Sequence, residues 1–363
     1  MKKDLMTLSE LGEKVVVKEL LNQLSPSSLL LDGLGHDAGF VSLDLGSDEV
    51  LVLNTDRSGE NLAHKLGLAG PEVVGDLAVA HAVSDVVAAG GHPFLLTVCL
   101  LLPGNKTLGY AKKVMEGVQN AADRWGLILA SGDTKRNSSV AIVVTVVGKA
   151  KRSQRLLRSG AKSGDLLVVT GSLGTMFTAA MAHKRGCSIP AKLKSKLEQA
   201  LTRQSPPVEF ALMLNSMALA NACTDISDGL PGAIFDMCEA SDVGAKIELE
   251  QIPVNKDIEE FAFQNLGIKK ESLMAANGDW QFLYAIPPQH YAKIQLVAQQ
   301  KNAQISVVGT FNDRKVVSLS GPDGLQYELN RVQNDGFSKI DGKNYFDFLA
   351  DNPSIFGRPV KEC

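Results

Sequence analysis

The chain has 363 residues, with 37 Lys and Arg against 40 Asp and Glu, a formal charge of −3. Binding to nucleic acid or an anionic lipid surface needs clustered positive charge, so near-neutrality excludes either as the expected partner. With 45% hydrophobic and 21% charged residues, the composition is that of a globular protein with a sizeable core, which excludes a disordered or collagen-like chain, and the length suggests about two domains.

From Thr7 to Leu24 apolar residues recur at helical spacing, with Ser9 as a candidate cap, so the first element is expected to be a helix. Short apolar runs at 39–45 and 50–54 read as strands. Pro71 to Ala89 reads as a helix with Pro at its start and Gly90-Gly91 after its end. The order continues with a strand (94–102), a helix (108–125) and strands at 127–130 and 140–148.

A basic stretch, 149–158, precedes a second series: a strand at 165–170, a Gly-rich turn (Gly171, Gly174), a helix from about Met176, and helix-forming sequence from Lys192 to Leu201. Ser205-Pro206-Pro207 is a stiff break. Helices at 208–220 and 230–240 then flank a turn at 224–229, followed by a strand-rich end near Phe348. Mixed elements of this kind indicate an α/β or α+β layer structure. The domains are placed at 1–155 and 156–350, with a tail at 351–363.

The five cysteines, Cys99, Cys187, Cys223, Cys238 and Cys363, include no CxxC pair. No basic-then-apolar segment at the N-terminus resembles a signal peptide, so a reducing, cytoplasmic setting is expected. The longest apolar runs fall far short of the ~20 residues that span a bilayer.

The informative feature is a series of acids at strand ends or in Gly-rich turns: Gly35-His36-Asp37-Ala38, Asn54-Thr55-Asp56, Ser84-Asp85, Ser131-Gly132-Asp133-Thr134 and Thr224-Asp225-Ile226-Ser227-Asp228-Gly229. Each alone is ordinary turn or cap chemistry. Five on one chain point instead to converging carboxylates, the hard oxygen ligands that hold Mg²⁺ together with substrate phosphates. Gly turns offer backbone N–H groups to phosphate, and Gly171-Ser172-Leu173-Gly174 opens a helix in that manner, although no Walker lysine follows and no G-x-G-x-x-G is present there.

In this order, GHDAGF, LNTD, AVSDVVAAGGHP, SGDTKR, RSGAKSGDLLVVTGSLG and DISDGL resemble the thiamine-monophosphate kinase family. More widely, they resemble the ATP-binding superfamily of aminoimidazole ribonucleotide synthetase, selenophosphate synthetase and a hydrogenase maturation factor. The resemblance covers about residues 8 to 310. It implies a two-domain α/β (α+β) fold with an N-terminal sheet domain and a C-terminal α/β domain, a homodimer formed through N-terminal strands, and Mg²⁺ with ATP as co-substrate.

By the same resemblance, Asp37, Thr55, Asp56, Asp85, Asp133, Asp225 and Asp228 would surround the metals, and Gly132, Asp133, Arg158 and Ser227 would contact the nucleotide. Arg158 suits phosphate because guanidinium is always charged and grips it bidentately; the plain alternative is a solvated charge in a basic stretch.

The acceptor half departs from the family. Where the family has Gly-Asp-Asp, this chain has Gly35-His36-Asp37, and His36 either replaces a metal ligand or hydrogen-bonds a turn. Gly-Gly-Glu-Asp-Tyr-Glu is replaced by Asn277-Gly278-Asp279-Trp280-Gln281, which places Gly278 where the family's Glu contacts its acceptor. The family's C-terminal Trp has no counterpart, and the His after the Thr-Asp pair is displaced, leaving His64. Candidate acceptor residues are therefore His64, Asp279 and Trp280, the last stacking on a planar substrate or simply packing. Cys223 reads as a small buried residue.

The expectation is an ATP- and Mg-dependent small-molecule phosphotransferase with an acceptor other than thiamine monophosphate. An ATP-driven amide- or carboxylate-activating synthetase is the enzymatic alternative, and a non-catalytic nucleotide-binding scaffold the alternative of another class.

Overall fold

The computed structural model describes residues 8–11, 15, 18, 30–32, 36–42, 48–321, 323–332, 334 and 343–360. Most of the helix expected at 7–24, the later part of the strand expected at 39–45, Gly35 and Cys363 lie outside the described residues.

The first domain contributes helices α1 (Leu8–Leu11), α2 (Leu62–Lys65), α3 (Glu72–Ala88) and α4 (Leu108–Trp125). Its strands are β1 (Leu30–Leu31), β2 (Gly39–Val41), β3 (Glu49–Gly59), β4 (His92–Leu102), β5 (Ile128–Arg136) and β6 (Ala141–Lys151), forming one sheet in the order β1-β2-β3-β6-β4-β5. Helix α4 is bounded as its sequence dictates: Thr107 caps the Tyr110 N–H at 3.1 Å, and Gly126 ends it in the left-handed conformation.

Two strands run longer than their composition suggests. β3 continues through Asn54-Thr55-Asp56 because it pairs with β6 from Glu49↔Lys151 to Gly59↔Ala141. β5 continues through Ser131-Gly132-Asp133-Thr134 as a parallel partner of β4. Both acidic segments therefore lie within strands, not at the strand ends or in the turns expected of them, since ladder pairing overrides local turn preference.

The second domain contributes helices α5 (Thr175–Lys184), α6 (Ala191–Thr202), α7 (Val208–Ser216), α8 (Leu230–Ser241), α9 (Lys256–Leu266), α10 (Lys270–Ala275), α11 (Pro288–Gln300) and α12 (Tyr345–Ala350). Its strands are β7 (Leu166–Thr170), β8 (Ala222–Asp225), β9 (Gly244–Ile247), β10 (Phe282–Ile286), β11 (Ile305–Asn312), β12 (Val317–Ser320), β13 (Gln326–Leu329) and β14 (Phe356–Pro359), in the order β14-β13-β12-β9-β11-β7-β10-β8. The region after 240 is thus mixed, not strand-rich, and the 351–363 segment supplies the edge strand β14, which pairs with β13. Among the described residues no helix is long and apolar enough to cross a membrane.

Helix α3 positions the site. It is apolar on nearly every side and buried accordingly, packed between the first sheet, α4, and β8 and α7 of the second domain. Two glycines permit its contact with α4: a Cβ on Gly117 would stand 1.8 Å from Glu72 O, and one on Gly75 would stand 2.0 Å from Val114 O. Backbones this close have no room for a methyl group, and overpacking of that kind costs about 1–3 kcal/mol. Gly117→Ala is therefore expected to lower unfolding free energy by about that amount in urea titration; an unchanged midpoint would show that the helices separate without cost.

Candidate active site

Three carboxylates from distant parts of the chain meet between the domains. Asp37 precedes β2, Asp85 lies on α3 and Asp225 ends β8, and each offers an oxygen within 4.8 Å of the others. Asp37 and Asp225 are buried and Asp85 is half-buried.

Arg158 holds the group together. Its Nη2 donates to Asp37 Oδ1 at 2.9 Å and its Nε to Oδ2 at 3.2 Å, while Nη1 stands 3.7 Å from Asp236 Oδ2 on α8. Hydroxyls complete the frame: Thr224 Oγ1 donates to Asp37 at 3.0 Å, Ser84 Oγ to Asp225 at 3.3 Å and Ser227 Oγ to Asp225 at 3.1 Å. Asn54 Nδ2 donates to the Asp37 carbonyl, and its Oδ1 is buried without a hydrogen-bond partner.

The electrostatics follow from burial and like charge. Burial, then the Asp225, Asp37 and Asp56 carboxylates, hold Asp85 well above the ordinary carboxylate range, against the opposing pull of Arg158. Asp225 is pushed up to about 7 by burial and by Asp37, with Arg158 and the Ser227 hydroxyl acting in the other direction. Asp56 is raised by burial. Arg158 is kept fully charged by Asp37 despite its burial.

The remaining candidates divide. Asp56 and the exposed Asp228 stand in the electrostatic neighbourhood of Asp85 and Asp225 respectively. Thr55 is exposed and bonded to Thr145 Oγ1 at 2.9 Å; successive side chains on a strand point to opposite faces, so it and Asp56 cannot both face the cluster. Gly132 and Asp133 are exposed on the edge strand β5, three strand positions from β3, or about 14 Å. Within one chain they do not join the carboxylates. His36 Nε2 lies 3.3 Å from Asp32 O, and the residue is outside the three-carboxylate group.

The acceptor candidates take unexpected positions. His64 is held by Ala69 O at 3.1 Å and lies 3.6 Å from Glu60, against the Tyr110 ring. Asp279 accepts from Gly174 N at 2.6 Å and Met176 N at 3.0 Å, so it caps α5 and fills the phosphate cradle expected at Gly171–Gly174. Burial pushes its carboxyl up to about 6 even with those N–H donors opposing.

Trp280, with a positive φ of 50°, stacks on His81 at 3.7 Å between centroids, and its Nε1 donates to Gln204 Oε1 at 3.0 Å. His81 Nε2 is 3.3 Å from the same Gln204 oxygen, which has no proton to give, so Nε2 carries the hydrogen and Nδ1 accepts from Ser58 at 3.2 Å. Burial lowers its pKa to about 4, which keeps this neutral tautomer.

The sequence motifs include Asn54 and Thr224 without assigning them a role, and sequence reasoning missed His81 and Gln204. His81 stands one helical turn before Asp85, a spacing that could have signalled it; Gln204, which meets His81 across 123 positions, carries no local signal.

Because Asp85 and Asp225 are raised, the folded state binds protons more tightly than the unfolded chain. The Asp225 contribution to stability in the metal-free protein is therefore full below the ordinary carboxylate value of about 4 and is lost as pH climbs through its folded value near 7, and the raised Asp85 adds a loss of the same sign. Asp85→Asn removes one of the repelling charges. In EDTA at pH 8 it is expected to raise the melting temperature by about 2–4 °C, with a smaller gain at pH 5, by differential scanning fluorimetry; a lower melting temperature at pH 8 would refute the assigned repulsion.

Comparison with known proteins agrees with this architecture. The family model for the AIR synthase related protein N-terminal domain matches residues 35–150, and that for its C-terminal domain matches residues 162–321. Thiamine-monophosphate kinase of Pyrococcus horikoshii is 28% identical over 316 residues, covering 86% of this chain and 92% of that protein. The enzyme of Pyrococcus abyssi is 31% identical over 267 residues, covering 72% and 80%. The solved structure of AaThiL complexed with AMPPCP and TMP superposes with a TM-score of 0.74 at 25% identity, covering 87% of this chain and 96% of that one. This chain, with its two domains and the carboxylate cluster between them, belongs to the AIR synthase-related family and is an ATP-dependent enzyme of the kinase type.

Proposed function

We propose that the protein transfers the γ-phosphoryl group of ATP, with Mg²⁺, to the phosphate of thiamine monophosphate. The observation that carries this reading is the meeting of Asp37, Asp85 and Asp225 within 4.8 Å, drawn from both domains. The names of the relatives supply the acceptor.

The donor set fits Mg²⁺: three hard carboxylates too close to be stable as free anions, with the unpartnered Asn54 oxygen bonded in beside Asp37. Asp37, Asp85 and Asp225 would hold the ion, with Asp56 and Asp228 beside them. Bound there, Mg²⁺ supplies charge that neutralises phosphoryl oxygens. The chain's own part is positioning. Ser84, Thr224 and Ser227 fix the carboxylate oxygens, and Arg158 adds a permanent cation at the edge of the group. Phosphoryl transfer asks mainly for such alignment and charge stabilisation.

A homodimer through β5 belongs to the same proposal. β5 is a nine-residue edge strand with only Leu129 shielded, an unpaired ladder that folded proteins normally cover, and pairing there would bring Gly132 and Asp133 beside a second copy's surface.

One specific observation favours a second reading, an acceptor other than thiamine monophosphate. Gly278 sits at φ 100°, a backbone conformation that L side chains rarely adopt, and Met176 Cε stands 1.9 Å from where a Cβ would be, so the longer side chain of the family pattern would strain the loop and displace the methionine. Asp279 and Trp280 beside it are engaged with α5 and His81.

Thiamine diphosphate formation from thiamine monophosphate and Mg-ATP, followed by chromatography, separates these readings. Product is expected, with kcat lowered by roughly 100-fold or more in Asp85→Asn and in Asp225→Asn. ATP consumption with other phosphate monoesters but none with thiamine monophosphate would move the assignment to the second reading. ATP bound without turnover on any of them would remove both.

A further inference from the structure

A cavity of about 460 Å³ lies well away from the carboxylates, between the start of β4, the end of β6 and α7. Its rim contains Lys149 and Lys151, which pair in register with Leu51 and Glu49 at the start of β3. Asp56 is seven residues further along that strand, about 23 Å away.

The cavity is graded from a polar floor to a charged mouth. Asn215 lines it and is only 4% exposed. Its Nδ2 donates to Val87 O at 2.8 Å, which fixes the amide, and its Oδ1 is left buried with no hydrogen-bond partner. A buried acceptor in that condition costs about 1–3 kcal/mol unless something donates to it. Half-buried Phe94 and Leu212 form walls, and the Lys149 ammonium lies 5.2 Å from the Phe94 ring centroid. At the mouth, Lys149 and Lys151 are exposed against the single carboxylate of Glu49, and His92 is beside them with Nδ1 turned to Pro93 O.

We infer that this cavity is a second small-molecule site, for an organic anion with a phosphate or carboxylate at one end and an N–H or O–H donor at the other. Asn215 Oδ1, closed to solvent in this structure, takes the donor once the side chains over it shift, the body of the molecule lies along Phe94 and Leu212, and the anionic end rests at the two lysines. The volume suits a molecule of nucleoside monophosphate size. Because Asn215 also holds the carbonyl of Val87, two residues beyond Asp85 on α3, an occupant is tied to the helix that carries the carboxylate.

The test is titration calorimetry of the full chain in EDTA with cytidine monophosphate, whose amino group and phosphate lie at opposite ends, and with cytidine and inorganic phosphate as partial probes. Cytidine monophosphate is expected to bind more tightly than either fragment. Lys149→Glu should weaken it by roughly 10-fold, Asn215→Leu by a similar factor, and Asp225→Asn should leave it unchanged. Should Asn215→Leu fail to fold, Lys151→Glu gives the same reading from an exposed position. No binding, binding unaffected by the lysine substitutions, or a crystal of the complex with water alone on Asn215 Oδ1 would overturn the assignment.

Discussion

Mutual repulsion among Asp37, Asp85 and Asp225 is the constraint around which the rest of the molecule is arranged. Three carboxylates with oxygens inside 4.8 Å are unfavourable wherever water is excluded. The chain offsets that cost with one cation, Arg158, and with three hydroxyl donors from two segments, Ser84 on α3 and Thr224 and Ser227 around the end of β8. Arg158 satisfies Asp37 bidentately, while burial and neighbouring carboxylates raise the carboxyls of Asp85 and Asp225. A site left in that condition attracts a cation from solution. Local instability and affinity for a divalent ion are two aspects of one arrangement.

Holding repelling groups together requires a rigid support, and α3 is that support. Its apolar sides are gripped by the first sheet, by α4 through the Gly75 and Gly117 contacts, and by β8 and α7. Ser84 and Asp85 face Asp225 from this helix, and His81 one turn earlier reaches Gln204 and Trp280. One element thus carries both the carboxylate that a metal would use and the ring on which the 277–281 loop rests. Packing energy from the core is what keeps the charged face in place.

Much of this was legible in the sequence, and the failures have physical causes. The acids that form the cluster stand out because Asp in Gly-rich turns recurs, and the two-domain α/β order follows from alternating apolar runs. Asp56 and Asp133 are expected at strand ends or in turns because Asn, Gly and Asp favour turns locally, whereas ladder pairing carries β3 and β5 on through them. The strand assignment also explains why adjacent Thr55 and Asp56 part company. Thr224 reaches Asp37 across 187 positions, and Gln204 meets His81 across 123 and Trp280 across 76, separations beyond any local pattern.

Asp279 shows how one side chain redirects chemistry. A Gly-rich turn opening a helix is an anion site in general, because its N–H groups point outward and the helix dipole favours negative charge. Here the Asp279 carboxylate occupies that position on α5, with burial holding its pKa near 6. The turn at Gly171–Gly174 consequently fastens the 277–281 loop to the domain, and is closed to a phosphate while that contact lasts. Trp280 is drawn into a left-handed backbone conformation next to it and pressed onto His81. The loop is therefore fixed at two points, a carboxylate in a helix cap and an indole on a neutral imidazole. Under the proposed function, that doubly anchored shape is what an acceptor beside the carboxylates would have to match.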